Sequence, residues 1–235
     1  MLYISAIANK TDNWKYQLEY SKNTWAKTLN SKDSLCFIFG KYDKNKFVND
    51  SNTFFNTSKK QIENEIYYDV VDNYGEGRRG FNVTYKTLLD MNNFLKTNLN
   101  YYIRTHTGSY INLQKLHELC SNLPYENCYY GVIGKKNKYK FCSGACFILS
   151  RDIIEKICSD INLILNLYKN NPLIDDVFFG HLLIDKYNII PNSLNRIDIK
   201  NINNFKFDRN IHHYYFVDKQ KCIQENWYRI IHEKY

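Results

Sequence analysis

The sequence predicts an α/β fold, in which a mixed, mostly parallel central sheet is flanked by helices. Apolar runs of strand length alternate along the first half of the chain with segments whose apolar residues recur at helical spacing. Such alternation is typical of parallel strands joined by crossover helices. With 3 prolines and 9 glycines in 235 residues, the chain has no stretch that resembles a flexible linker. We therefore expect a single domain.

The first half of the chain opens with a strand, a helix and two further strands. Leu2 to Ile7 is an apolar run, and the next segment places four large apolar residues on one helical face after a Thr-Asp start signal. Apolar runs at 35–39 and 66–71 predict the following strands. A helical pattern from Leu88 to Leu95 then leads to a strand that begins at Tyr101.

After Pro124 the pattern favours mixed rather than parallel pairing. Cys128 to Ile133 is strand-like, and a Lys-rich turn separates it from the segment Lys140 to Asp152. Seven apolar residues between Ile153 and Tyr168 predict one long helix. The remaining predicted elements are a helix starting near Val177, a short strand at Ile189-Ile190, a strand-like run at His212 to Val217 and a final helix near Glu225 to Glu233.

The composition limits the classes of protein and of partner. No apolar stretch approaches the ~18 residues that a membrane span needs, so we expect a soluble protein without a membrane segment. The seven cysteines are an odd number in apolar surroundings, which favours buried thiols over disulfides or a zinc site at Cys142-x3-Cys146. The net charge of +8 comes from lysines scattered among 24 acids, a distribution that does not favour nucleic acid as a partner.

The stretch from Tyr102 to Leu116 carries the strongest functional signal. A predicted strand reaches the polar turn Arg104-Thr-His-Thr-Gly108, and leucines at helical spacing follow it. The turn therefore lies at the carboxyl end of a strand, which is the edge where open α/β sheets bind ligands. From the residues alone, a surface ion pair is the preferred interpretation of Arg104, and a phosphate contact is the alternative. His106 is equally a ligand contact or a turn residue.

Four blocks occur in a fixed order along most of the chain. They are Ile4-Ser-Ala6 with Lys22-Asn-Thr-Trp25, Asp69-Val-Val-Asp72-Asn-Tyr74 with Asn82-Val-Thr-Tyr-Lys-Thr87, the stretch Tyr102 to Leu116, and Phe141 to Asp152 with Asp175-Asp-Val-Phe-Phe-Gly180. Together they resemble the β-1,3-galactosyltransferase/Fringe family and the related small glycosyltransferase domains of large DNA viruses. The resemblance implies a GT-A-like fold and an enzyme that moves a hexosyl or deoxyhexosyl group from a nucleotide-diphosphate sugar, most simply a UDP-sugar, to a hydroxyl of a glycan acceptor with inversion.

The resemblance also divides the chain and assigns its residues. It implies a nucleotide-sugar-binding half at 1–123 and an acceptor-side half at 124–235. Because the sequence shows no signal peptide and no membrane segment, we expect a cytoplasmic location, which is the host cytoplasm if the protein is viral. Asp176 matches the family's aspartate and is the expected catalytic base, with Asp175 beside it. The implied donor-binding residues are Ser5, Ala6, Asp69, Asp72, Lys86, Arg104, His106, Thr107 and Gly108. The implied acceptor-side residues are Ser143, Gly144 and Ala145.

The chain departs from the family pattern where the metal is normally held. The acidic triplet is replaced by His106-Thr107-Gly108, whereas Mg²⁺ prefers oxygen ligands and Mn²⁺ also accepts imidazole. His106 with His212 or His213 would make a weak metal site. Alternatively, Arg104, Lys86, His106 and N–H groups near Gly108 offset the diphosphate charge without metal. We expect weak or no metal dependence.

Several of these residues also have interpretations that need no ligand. Asp175 and Asp176 could cap the helix that starts near Val177, and Asp69 and Asp72 could be ordinary strand-end acids. Gly144 admits close approach of a ligand or of a neighbouring strand. The loop Gly75 to Gly80, with Arg78 and Arg79, could cover the donor. The rival to an enzyme is a catalytically inactive GT-A-like module that binds a glycan or a nucleotide sugar.

Overall fold

The computed structural model describes residues 1–8, 12–41, 54–71, 81–136, 138–170, 173–200, 207–217 and 221–235. The described residues form a large mixed sheet covered by helices on both faces, together with a small second sheet. The Gly75 to Gly80 loop and Asp72 lie outside these residues. Both stay predictions.

Eight strands form the large sheet, in the order β3-β4-β2-β1-β5-β8-β7-β9. Neighbours from β4 to β5 run parallel, as do β7 and β9, while β8 is antiparallel to both of its neighbours and β3 is antiparallel to β4. The small sheet has the order β10-β11-β6. The strands are Leu2–Ile7 (β1), Ser34–Lys41 (β2), Lys59–Ile62 (β3), Glu65–Val71 (β4), Tyr101–His106 (β5), Ser109–Ile111 (β6), Tyr129–Lys136 (β7), Tyr139–Ser150 (β8), Asn192–Ser193 (β9), Ile197–Ile199 (β10) and His213–Phe216 (β11).

Helices bury both faces of the large sheet. Alternate residues of β1 and β5 point to opposite faces, so each strand feeds two separate apolar cores. Helices α2, α4, α5 and α6 cover one face; α1, a short 3₁₀ helix at Trp25–Thr28, α3, α7 and the small sheet cover the other. The helices are Asp12–Asn23 (α1), Phe81–Phe94 (α2), Leu113–Cys120 (α3), Arg151–Ser159 (α4), Ile161–Asn170 (α5), Asp175–Tyr187 (α6) and Lys221–His232 (α7).

The strand order reverses direction between β1 and β5. From β1 the chain extends the sheet through β2 to β4 on one side, and then returns to place β5 on the other side of β1. Ser5 pairs in register with Arg104 and Ile7 with His106, so the two parallel strands end at the same edge. Ligands of open α/β sheets bind at this kind of switch point, and the candidate site lies there.

The predicted α/β class with a mixed, mostly parallel sheet is confirmed, and three details of the prediction are wrong. The long helix expected from Ile153 to Tyr168 is two helices, because Asp160 ends α4 and its carbonyl accepts the first bond of α5. Ile189-Ile190 is not a strand; Asn192–Ser193 pairs with β7 instead. The strands β3, β6 and β10 were not predicted at all.

Two expectations from composition can be compared with the described residues. Six cysteines there are buried thiols, and none of them forms a disulfide. None of the helices in the described ranges is both long enough and apolar enough to cross a membrane.

Candidate active site

A cavity of about 200 Å³ lies at the carboxyl ends of β1 and β5. It brings together segments that are far apart in the sequence: the ends of these two strands, the middle of β8, the first turn of α6 and one side chain of β11. The lining residues are Ile7, Ala8, Arg104, His106, Ser143, Gly144, Ala145, Asp175, Asp176 and Tyr215. Seven of these ten are residues that the sequence indicated, from both halves of the chain.

The two adjacent acids make different contacts. Both lie in the first turn of α6, whose N-cap is Ile174 and makes no side-chain cap bond. Asp176 Oδ2 accepts a hydrogen bond from Gly144 N at 2.9 Å, and its Oδ1 accepts one from Val177 N at 2.9 Å. Asp175 forms an ion pair with Arg104. The acids therefore bind across to β5 and β8, which helix capping alone does not require.

Asp176 combines exposure to the cavity with an unfavourable setting for negative charge. Burial and the neighbouring Asp175 charge raise the pKa of Asp176, against the hydrogen bond from Gly144 and the charge of Arg104. A carboxylate with a raised pKa is a stronger base than an ordinary one. Each oxygen already accepts one hydrogen bond and has a second lone pair with which to accept a proton.

Arg104 is buried under the cavity floor, with 4% of its surface exposed. Its Nη2 donates to Asp175 Oδ2, and its Nε has no hydrogen-bond partner among the described residues. The guanidinium also lies against the backbone of Gly144, where an added Cβ would stand 2.7 Å from Nη1. Arg104 therefore belongs to a buried ion pair with Asp175, and not to the surface ion pair that the residues alone favoured. Its Nε remains unpaired among the described residues.

The turn after β5 fixes the tautomer of His106. Gly108 N donates to His106 Nδ1 at 2.8 Å, so that nitrogen must be unprotonated in this arrangement. A neutral His106 then carries its proton on Nε2 and acts as a hydrogen-bond donor. Metal binding through Nε2 would move the proton to Nδ1 and break the bond from Gly108.

The three predicted metal ligands do not converge. His213 Nε2 lies 3.0 Å from Ser109 Oγ within the protein, and neither His213 nor His212 lines the cavity. Burial lowers the pKa of His212 to about 4, and burial also lowers the pKa of His213 well below its usual value. Among the described residues no three His, Cys, Asp or Glu side chains are grouped to share a metal ion. This donor set does not fit a divalent cation.

The other predicted donor residues lie outside the cavity. Ser5, Ala6 and Thr107 are fully buried, and it is Ile7 at the end of β1 and Ala8 just after it that line the cavity. Lys86 is also fully buried and directs Nζ to the carbonyl of Ala8 at 3.4 Å, so it lies behind the lining. Asp69 is a strand residue of β4 whose carboxylate accepts from Ser58 Oγ at 3.3 Å.

Sequence reasoning missed Tyr215 and Arg196. Within β11, Tyr214 and Phe216 are core residues, so the alternation of the strand places Tyr215 on the opposite face, towards the cavity. That alternation was a usable signal for Tyr215. Arg196 precedes β10 and hydrogen-bonds Ser143 Oγ at 3.0 Å, a contact made across 53 residues that no local pattern indicates.

Comparison with known proteins adds evidence on the fold. No family model and no curated protein sequence matches the chain. Among solved structures, it is similar to a glycosyltransferase involved in the glycosylation of the major capsid of PBCV-1, with a TM-score of 0.52 and 8% identity over 97% of this chain and 98% of that one. It is also similar to the galactosyltransferase LgtC in complex with donor and acceptor sugar analogs, with a TM-score of 0.50 and 8% identity over 99% and 95% of the two chains. At this identity the likeness concerns the fold, and it confirms that this chain has a GT-A-like fold.

Proposed function

We propose that the protein is a glycosyltransferase that uses this cavity to move a sugar from a nucleotide-diphosphate donor to a sugar hydroxyl. One observation carries the proposal: an acid with a raised pKa, Asp176, lines a cavity at the switch point of a GT-A-like sheet, next to the Arg104–Asp175 pair. The likeness to two glycosyltransferase structures supports it through the fold. The resemblance to the Fringe family supports a UDP-hexose or UDP-deoxyhexose donor and an inverting reaction.

In the proposed reaction Asp176 is the catalytic base. The acceptor oxygen attacks the anomeric carbon of the donor, its proton passes to an oxygen of Asp176, and the bond from the anomeric carbon to the diphosphate breaks. The diphosphate leaves with the electron pair of that bond. Arg104, through its positive charge, and His106, through its Nε2–H, would stabilise the charge that develops on the phosphate oxygens.

A non-catalytic binding module is the second candidate, and a specific observation favours it. Both oxygens of Asp176 already accept backbone N–H bonds, and Asp175 is already paired with Arg104, so every acid of the cavity has a partner within the protein. Such acids could serve only to hold α6 against β8. In that case a nucleotide sugar would bind without transfer of its sugar.

The first experiment is calorimetric titration of the protein with UDP and with GDP, each in Mn²⁺ and in EDTA. We expect UDP to bind, and to bind in EDTA as well, because the phosphate contacts that we assign are Arg104 and His106. Binding that requires Mn²⁺ would show that the protein holds the metal through ligands other than the set His106, His212 and His213. If neither nucleotide binds under either condition, the proposed function is wrong.

The second experiment separates transfer from binding with Asp176→Asn. The variant keeps a carbonyl oxygen to accept from Gly144 N but cannot take a proton at neutral pH. We expect UDP affinity within about twofold of the wild type, and a loss of transfer of at least about 100-fold, a typical effect of losing a general base. Donor hydrolysis and transfer to methyl glycosides are the assays. A variant that binds UDP and matches wild-type turnover would remove Asp176 from the mechanism, and a wild type that binds without any turnover would favour the binding module.

A further inference from the structure

The Tyr215 side chain is placed to contact a ligand in the cavity. Its ring lines the cavity and is half-buried, and its hydroxyl has no hydrogen-bond partner among the described residues. Many buried tyrosines of this protein do have such partners: Tyr101, for example, donates to the carbonyl of Leu123 at 2.7 Å. A tyrosine hydroxyl usually finds a partner when it is enclosed, so a ligand that fills the cavity would be expected to supply it.

The ring is held from two sides. His106 meets it edge to face, with ring centroids 5.4 Å apart, and the Arg196 guanidinium carbon lies 4.9 Å from the ring centroid. Arg196 is itself fixed by a two-point pair with Asp198, in which Nη2 lies 3.3 Å from Oδ2. A side chain held in this way loses little conformational entropy when its hydroxyl binds a ligand.

Arg196 also ties the ring to the acceptor-side segment. Its Nη1 donates to Ser143 Oγ at 3.0 Å, and Ser143 precedes Gly144, whose N–H binds Asp176. One guanidinium therefore sets the positions of Tyr215 and Ser143, both of which line the cavity next to the proposed base. Arg196 does not line the cavity itself.

The Tyr215 hydroxyl lies near the charged groups of the proposed reaction. Burial raises the pKa of Tyr215, and the charges of Arg196, Asp198, Arg104 and Asp176 also act on it. The hydroxyl is therefore protonated at neutral pH, and it lies within electrostatic range of both Arg104 and Asp176. It is a hydrogen-bond donor and acceptor beside the group that would deprotonate the acceptor.

We propose that Tyr215 binds the acceptor sugar of the proposed reaction through a hydrogen bond from its hydroxyl to a second hydroxyl of that sugar. Arg196 is the positioning residue that holds Tyr215 and Ser143 in place. This inference rests on the proposed function and adds the residues that select the acceptor, which is a sugar ring that presents one hydroxyl to Asp176 and a second to Tyr215. A lone alcohol, such as a serine side chain, would make only the first contact.

The test uses Tyr215→Phe, which removes the hydroxyl and keeps the ring. With methyl glycosides of glucose, galactose and mannose as acceptors, we expect kcat/KM to fall about 3- to 10-fold, the size of one lost neutral hydrogen bond, mainly through a higher acceptor KM. UDP affinity and hydrolysis of the donor by water should not change, because neither involves the acceptor. Tyr125→Phe, which alters a tyrosine that is 66% exposed and absent from the lining, is the matched control and should behave as wild type.

Arg196 gives an independent arm. Arg196→Met should reproduce the higher acceptor KM while sparing UDP affinity, and Arg196→Lys should recover part of the loss because one donor to Ser143 returns.

The proposal is overturned if Tyr215→Phe matches wild type with every glycoside, or if it lowers UDP affinity and donor hydrolysis as much as transfer, since Tyr215 would then contact the donor. It is also overturned if saturation-transfer NMR detects no glycoside bound to the UDP complex. Failure of the proposed function looks different, because the wild type itself would then bind no nucleotide.

Discussion

The absence of one side chain shapes the floor of the cavity. Gly144 leaves room for the Arg104 guanidinium, which would lie 2.7 Å from a Cβ at this position, with Asp175 Oδ2 at 3.4 Å. Both interpretations of Gly144 drawn from the sequence involved close approach of a neighbour. The neighbour in the structure is the Arg104–Asp175 pair. Arg104 belongs to β5, the strand next to β8, but it is its side chain and not the strand backbone that approaches Gly144.

Gly144→Ala tests this crowding. We expect the added methyl to push Arg104 away from Asp175 and to lower the free energy of unfolding by about 1–3 kcal/mol, as overpacking typically does. Chemical denaturation measures the change, and UDP titration should show weaker binding. Arg104→Lys lacks the crowded Nη1, so Gly144→Ala should cost less in that background. An equal cost in both backgrounds would mean that the methyl meets something other than the guanidinium.

At the scale of elements, two helices hold the turn between β5 and β6. Tyr228 of α7 donates to the carbonyl of Thr107 and lies 3.2 Å from that of Ser109, and Ser21 of α1 donates to the Thr107 carbonyl at 3.3 Å. The turn carries His106 at its start, while Ser109 at its end binds the carbonyl of Ala145 at 3.1 Å. The geometry of the site thus depends on the last helix of the chain.

Tyr228→Phe tests that dependence. The variant leaves buried carbonyls with fewer donors, and we expect a loss of about 1–3 kcal/mol in the free energy of unfolding. Because the turn positions His106, UDP affinity should also fall. Tyr101→Phe is the matched control: it removes a buried phenol–carbonyl bond of 2.7 Å at Leu123, away from the cavity. It should lower stability and leave UDP affinity unchanged. A parallel loss of affinity in both variants would argue against a specific role for the α7 contact.

Element prediction succeeded where the apolar pattern was regular and failed where pairing was not local. The run Leu2–Ile7 is a strand with the predicted bounds. The apolar stripe from Ile153 to Tyr168 is buried as expected, but the stripe continues across the break at Asp160, so periodicity could not reveal two helices. Strand β6 has three residues and exists because β11, about 100 residues later, pairs with it. No pattern within three residues encodes such a partner.

The same limit applies to the site. The sequence indicated Arg104, His106, Asp175 and Asp176 through their order along the chain, and all four line the cavity. The resemblance assigned donor contacts to Ser5 and Ala6, which are fully buried, whereas Ile7 and Ala8 line the cavity. Nothing in an apolar run marks the residue at which a strand leaves the sheet.

At the scale of the whole molecule, one buried polar group lies inside an apolar core. Asp90 on α2 is fully buried and accepts hydrogen bonds from Tyr3 at 2.8 Å, Tyr102 at 3.3 Å and Tyr68 at 3.4 Å, which join α2 to β1, β5 and β4. Burial raises the pKa of Asp90 to about 6, although these hydrogen bonds oppose the shift. The stability of the whole fold should therefore depend on pH through this group.

The sign follows from the raised pKa. Between the unfolded pKa of 3.8 and the folded value of about 6, the unfolded chain releases the proton while the folded one keeps it, so stability falls as pH rises. The shift corresponds to about 3 kcal/mol. Asp90→Asn cannot titrate, so its free energy of unfolding relative to wild type should rise by about that amount from pH 3.5 to pH 7.

Asp152→Asn is the control of opposite sign for that experiment. Burial alone would raise the pKa of Asp152, but bonds from Ser150, Asn127 N and Lys156 lower it. Its contribution to stability is therefore present above the unfolded pKa and lost as pH falls, so the deficit of Asp152→Asn should shrink in acid. Urea denaturation at each pH measures both variants. A constant gap between Asp90→Asn and wild type would mean that Asp90 keeps an ordinary pKa.

The cavity lining runs from Ile7 to Tyr215, and no segment of the chain supplies a majority of it. Bringing such distant residues together costs loop-closure entropy, so we expect the site to be among the last features to form. A ligand that binds there therefore binds only the folded molecule, and it should raise the midpoint of thermal unfolding with the logarithm of its concentration once that concentration exceeds Kd. In a refolding experiment, the onset of nucleotide binding would then mark the time at which the segments around Ile7 and Tyr215 have come into contact.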